Sequence, residues 1–140
     1  MPRPLSYIDT DIIIRFLIGD DLENQQAAQS LFTCVQQREI TIAAPDTVIA
    51  DAVFVLHSLR LYNKSRAEVA ALLTLLVRLS HFRVQNKRIV LRALELYGTS
   101  SSGFGDAMIL ASMEQNNATQ LYSYDERITR QVTGITRIEP

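Results

Sequence analysis

Residues 7–16 read YIDTDIIIRF, and this run decides the fold. An apolar segment that begins as a strand ends on two acids, Asp9 and Asp11, with one threonine between them. An acid at the end of an apolar strand is costly unless it is solvated or paired. Leu5 to Ile8 predicts a short strand and Asp11 to Ile18 a short helix. Outward from this run the alternation repeats. Gly19-Asp20-Asp21 breaks the helix, and Asp20 with Glu23 resembles a capping box that opens a helix to about Gln37. Ile40 to Ala43 predicts a strand. Pro45-Asp46 starts a helix to about Leu59, with Asp46 as its N-cap.

After the turn Asn63-Lys64-Ser65-Arg66, Ser65 and Glu68 form a capping box ahead of AEVAALLTLLVRL. That helix is apolar on most sides and is expected to be buried. Arg83-Val84 predicts a brief strand, and Asn86 caps a helix from Lys87 to Tyr97. Residues 98–105, GTSSSGFG, form a polar loop. A helix from Phe104 or Gly105 to about Gln115 follows it. Gln120 to Tyr124 predicts a strand, Glu126 to Val132 a short helix, and Thr136 to Glu139 a last strand. Short strands alternating with helices predict an α/β sandwich around a short, mostly parallel sheet flanked by helices. No repeat, linker or low-complexity segment divides residues 1–140, which read as a single domain.

Composition excludes several function classes. With 47% hydrophobic and 21% charged residues the chain is globular in character. Fourteen basic and fifteen acidic residues leave a net charge of −1, so no overall basic field attracts nucleic acid and such a partner needs a local patch. One cysteine, Cys34, and two histidines, His57 and His81, make neither an internal disulfide nor a zinc site. Cys34 reads as a small buried hydrophobe. The start, MPRPLSYID, lacks the apolar core of a signal peptide, and no run reaches a membrane span of about 20 residues. A soluble cytoplasmic protein is expected.

The acids carry the chemistry. Asp9 follows the first strand and Asp125 follows LYSY, and in parallel sheets ligands collect beyond the carboxyl ends of the strands. Thr10 or Asp11 caps the first helix as well as Asp9 does, which leaves Asp9 over. Asp51 lies inside the helix TVIADAVFVLHSL, where aspartate is a poor residue, or on a solvated stripe with Thr47 and Ser58. Asp106 stands where an apolar helix enters the core, or complements that helix's dipole. Asp125 either lines the site or caps the next helix. Like charges a few Å apart repel by about 4 kcal/mol per pair at an effective dielectric of 20. A cluster of four such acids then needs a cation, and all-oxygen ligands select Mg²⁺ or Mn²⁺.

These stretches resemble the PIN domain nucleases, and among them the VapC-like toxins of bacterial toxin–antitoxin pairs. The resemblance rests on YIDTDIIIRFLIGDD, APDTVIADAVFVL, VLRALELY with GFGDAMILASMEQ, and LYSYDERI, in this order. It implies a PIN-like three-layer sandwich and an acidic pocket that binds Mg²⁺ or Mn²⁺ and hydrolyses RNA. By it, the catalytic acids are Asp9, Asp51, Asp106 and Asp125, with Asp9, Asp106 and Asp125 on the metal. Asp11 stands where the family usually has asparagine, Asp51 where it has glutamate, and Ser123 where a hydroxyl supports the pocket. Gly103 replaces a further acid of many members. The implied mechanism is in-line attack on a phosphodiester by water activated at the metal, which also offsets charge on the leaving oxygen. Arg15 is a candidate phosphate contact, and Lys64, Arg66, Lys87, Arg88 and Arg92 a wider basic track or solvated helix faces. A homodimer and a small antitoxin partner are expected on the resemblance alone.

Two rivals stand beside this reading. Asp9-Thr10-Asp11 fits the opening of haloacid-dehalogenase-like phosphatases, with Asp9 as nucleophile. Ile13, however, stands where they need threonine or valine, and Gly105-Asp106 lacks their following acid. Alternatively the chain is a non-catalytic PIN-fold binding module with a degraded metal site.

Overall fold

The computed structural model describes residues 4–58 and 60–140. Three short strands, β1 (Ser6–Tyr7), β2 (Ile42–Ala44) and β3 (Phe82–Val84), form a parallel sheet in the order β1-β2-β3. Ser6 pairs with Ile42 and Ile42 with Phe82, and Tyr7, Ala43 and Arg83 align in the next register. A second parallel pair joins β4 (Gln120–Tyr122) to β5 (Thr136–Ile138). Around these lie α1 (Thr10–Leu17), α2 (Leu22–Gln36), α3 (Asp46–His57), α4 (Arg66–Val77), α5 (Lys87–Gly98) and α6 (Phe104–Gln115). The α/β class and the parallel pairing match the expectation from sequence.

β2 and the two ends of β3 are apolar because they are buried between helices. Ile42, Ala43, Ala44 and Phe82 are almost wholly inaccessible, and Phe82 packs edge-on to Phe32, which stacks against Phe16. One continuous cluster links these residues to Ile49, Leu56, Leu73, Val90, Leu94 and Leu110. Burying each such side chain stabilises the fold by roughly 1.5–3 kcal/mol relative to leaving it in water. Polar groups lock the helices to this core. Lys87 Nζ donates to Leu79 O at 2.8 Å and to Phe82 O at 2.9 Å, between the end of α4 and β3, and burial lowers its pKa. Arg92 grips Glu114 with Nε and Nη2 at 2.8 and 3.0 Å, tying α5 to α6. At Gly98 an added Cβ lies 2.7 Å from Ala70 Cβ, so α5 crosses α4 where only glycine fits.

Several local expectations are corrected. Asp21, not Asp20, caps α2: its Oδ1 accepts from Asn24 N at 3.1 Å, and bonds from Asn24 hold its pKa low. Asp20 instead pairs with Arg15 Nη1 at 2.8 Å. Pro45 is the N-cap of α3, which ends at His57, and Leu59 lies outside the described residues, as do Met1 to Arg3. Asn86 precedes α5 in the left-handed region (φ 55°) and does not cap it with its side chain. Its amide donates to Asp46 Oδ2 at 3.1 Å, across to α3. The helix expected at Glu126 to Val132 is a series of turns. α4 buries one face only, through Val69, Leu73, Leu76 and Val77, while Leu75 is exposed. Cys34 is half-buried. Among the described residues no helix is long and apolar enough to cross a membrane.

Candidate active site

Two of the predicted acids meet. Asp106, half-buried in the first turn of α6, and Asp125, exposed just past β4, line one cavity of about 430 Å³. Chain topology causes this. β4 ends at Tyr122 and turns at once, and the loop from Thr99 to Gly103 delivers α6 to the same edge. Local bonds set the turn: Ser123 Oγ accepts from Asp125 N at 3.0 Å, and Asp125 Oδ1 accepts from Arg127 N at 2.9 Å. Arg137 Nη1 donates to Ser123 O at 2.8 Å and fastens the turn to β5. Asp106 is favoured by the positive end of the α6 dipole, whose N-cap, Gly103, offers no side chain to the helix N–H groups.

The other predicted residues are not among those that line this cavity. Asp9 is the N-cap of α1, its Oδ1 accepting from Ile12 N at 3.4 Å, so the carboxylate that the sequence left over has a local partner. Asp51 is exposed on α3. Asp11 and Arg15 line a separate cavity between α1 and α2. Among the described residues, no group of three or more His, Cys, Asp or Glu side chains is arranged to hold a metal ion. The basic track is largely committed to internal bonds. Lys87 and Arg92 are bound as described, Arg66 Nε donates to Tyr97 O at 3.1 Å, and Lys64 lies 3.9 Å from Glu68. Both histidines are structural in their contacts: His57 Nδ1 is 2.9 Å from Lys64 O, and His81 Nδ1 is 3.2 Å from Thr41 Oγ1.

Sequence reasoning missed the other half of the cavity. Arg127 and Arg130 line it with the two acids, so basic as well as acidic residues border the cavity. The signal lies in YDERITR, where two arginines follow Asp125 at short spacing, although they stand on an exposed turn rather than a helix. Gln131 also lines the cavity, and its Oε1 is buried without a hydrogen-bond partner. An acceptor in that position lacks a donor such as water.

This donor set suits a hard divalent ion. The two carboxylates supply oxygen ligands only, and Mg²⁺ is ordinarily held by one or two carboxylates with water and substrate phosphate completing its shell. The arginines suit the phosphate itself, by bidentate charge-assisted hydrogen bonds. The arrangement therefore favours a phosphate ester with a hard cation.

Residues 6–133 match the family model described as PIN domain. No curated protein matches the chain.

Proposed function

The chain belongs to the PIN domain family, and from that premise we propose that it is a Mg²⁺- or Mn²⁺-dependent endoribonuclease, the toxin of a toxin–antitoxin pair. PIN domains are in general nucleases, so a nuclease-type hydrolase is the coarse assignment. One observation carries the finer reading: Asp106 and Asp125, from distant parts of the chain, share a cavity with Arg127 and Arg130. Carboxylates for a cation beside guanidinium groups for a phosphate are what phosphodiester hydrolysis requires.

In this reading Asp106 and Asp125 hold the ion. Bound there, it supplies an activated water and offsets charge at the leaving oxygen. The chain's own residues do the rest. Arg127 and Arg130 draw the phosphodiester in and fix its orientation. Ser123, through Asp125 N, keeps the Asp125 turn in place. Gln131 Oε1 accepts a hydrogen bond from water in the cavity. Asp9 and Asp51 are proposed as further acids on the resemblance, and Asp9 additionally caps α1. A homodimer and a small antitoxin protein accompany the toxin reading as proposals of the same standing, as does a cytoplasmic location.

The second reading, a non-catalytic binding module, is favoured by the lack, among the described residues, of a metal-holding group of three such side chains and by Asp51 and Gly103 in place of longer or acidic side chains. The two separate in a cleavage assay on single-stranded RNA with Mg²⁺, Mn²⁺ or EDTA. The nuclease reading expects cleavage that EDTA stops and that Asp106→Asn and Asp125→Asn each reduce by at least about 100-fold, on the order of 3 kcal/mol of transition-state stabilisation. Cleavage unchanged in both variants refutes it. RNA binding without cleavage or metal affinity supports the binding module.

A further inference from the structure

We propose that the groove between α3 and the start of α6 is a nucleobase site, in which a base beside the bound phosphate stacks on Phe54. The proposal rests on the nuclease reading and adds to it the part of the substrate that is recognised. The groove encloses about 580 Å³ and is mostly apolar, with Val53, Phe54, Tyr97 and Phe104 among its walls and His57 and Arg66 as polar members. A mostly apolar slot with a few placed polar groups is the ordinary form of a small-ligand site.

Four observations favour a base as the occupant. Phe54 is 75% exposed, a large aromatic ring on the outward face of α3 whose other face, through Ile49, Ala52, Val53 and Leu56, enters the core. It follows Asp51 by three positions and so shares its face of α3. Gly103 lines both this groove and the cavity of Asp106 and Asp125, so the apolar slot and the charged one adjoin at that residue. A Cβ built at Gly103 or Gly105 meets nothing within 4 Å, and Gly103 has an ordinary φ of −65°. Neither packing nor backbone geometry requires glycine at Gly103. A side chain there would project into open space at the border of the two compartments. His57 adds a polar contact. Its Nδ1 must donate to Lys64 O, because a carbonyl only accepts, and a neutral ring then leaves Nε2 as an acceptor for a base N–H.

A nucleotide needs a charged compartment for its phosphate next to an apolar one for its base. An apolar peptide would use only the second. Every base presents a flat face to an aromatic ring, and such stacking is worth roughly a tenfold change in affinity per base.

The chain contains no tryptophan, so Phe54→Trp installs a single reporter at the groove. Its exposure means that neither this change nor Phe54→Ala disturbs the core. With Ca²⁺ present to avoid turnover, binding of a single-stranded oligoribonucleotide is compared with that of an abasic ribose-phosphate oligomer of equal length and charge. We expect saturable quenching of Phe54→Trp emission by the first and little by the second. The parent is expected to prefer the base-bearing strand about tenfold, and Phe54→Ala and Gly103→Val to lose that preference. Unmoved emission while anisotropy reports binding overturns the proposal, as does a preference unchanged in Phe54→Ala. If Phe54→Ala alters only self-association or capture of a protein partner, the groove is a protein interface and the proposal fails. In either case Asp106-dependent cleavage in Mn²⁺ leaves the nuclease reading intact. Loss of binding to both strands by the parent overturns both.

Discussion

Replacing Arg66 tests how the wall between the two cavities is held. Its Nε donates to Tyr97 O at 3.1 Å, its Nη2 donates to Ser102 O, and its guanidinium lies 4.0 Å from the Tyr97 ring centroid. One side chain thus joins α4, α5 and the loop that carries Ser100 to Gly103. Hydrogen bonds from a charged donor contribute about 1.5–3 kcal/mol each, and a half-exposed cation–π contact about 1 kcal/mol. The gross sum for Arg66→Met is therefore about 4–7 kcal/mol. Water reaches this half-buried site and re-solvates both carbonyls in part, which reduces the expected net cost to about 2 kcal/mol. In urea denaturation this appears as a lower midpoint at unchanged slope, and in heating as a Tm about 8 °C lower. Hydrogen exchange at Ser100 to Ser102 should accelerate more than exchange in the core. Arg66→Lys should recover less than half, because one ammonium cannot reach both carbonyls and also stack on the ring. An Arg66→Met protein within 0.5 kcal/mol of the parent, with unchanged exchange in the loop, would refute the clamp.

Three further outcomes follow from the packing and the ion pairs. Gly98→Val should destabilise by roughly 1–3 kcal/mol, because its Cβ meets Ala70 Cβ at 2.7 Å, and urea unfolding of Gly98→Val with and without Ala70→Gly should show partial rescue. The Arg92 hydrogen bond is the main reason the Glu114 pKa lies below its ordinary 4.5. A depressed carboxylate stabilises above its unfolded pKa, and that contribution is lost as pH falls through the folded value. Stability measured from pH 7 downward should thus fall below about pH 4.5 by a few tenths of a kcal/mol more in the parent than in Arg92→Met, since the pair is partly exposed. Asp9→Ala should cost only about 0.5 kcal/mol of stability, since the cap bond to Ile12 N is long at 3.4 Å, so any larger loss of cleavage reports a role at the metal.

The elements that sequence alone predicts well are those whose cause is local. Ser65 caps α4 as its place before the helix predicts, its Oγ accepting from Glu68 N at 3.2 Å and donating to Glu68 Oε1 at 3.3 Å. The strands lie within a residue or two of where the sequence puts them because each falls in a short segment between clear helix ends and starts. The misses have non-local causes. Asp20 and Asp21 are equivalent as caps until Arg15 takes Asp20. YDERITRQV has helical spacing, yet the return to β5 turns it into a loop. Leu75 looks like core because spacing cannot tell which sides of α4 find a neighbour. At the site, Asp106 and Asp125 were legible as acids at element ends. The arginines beside them were not, because their place depends on a turn and not on a periodic pattern. That Asp9 caps α1 is not legible in the sequence, because a cap's hydrogen bond cannot be assigned from residue type when three candidates adjoin.

The central claim is that Asp106 and Asp125 together hold one hard divalent ion. Mn²⁺ binding to the parent, Asp106→Asn, Asp125→Asn and Asp11→Asn, followed by titration calorimetry, tests it most directly. The prediction is one site in the parent, lost or weakened at least tenfold in the first two variants and kept in the third, whose side chain faces a different cavity. Equal affinity in the parent, Asp106→Asn and Asp125→Asn would contradict it.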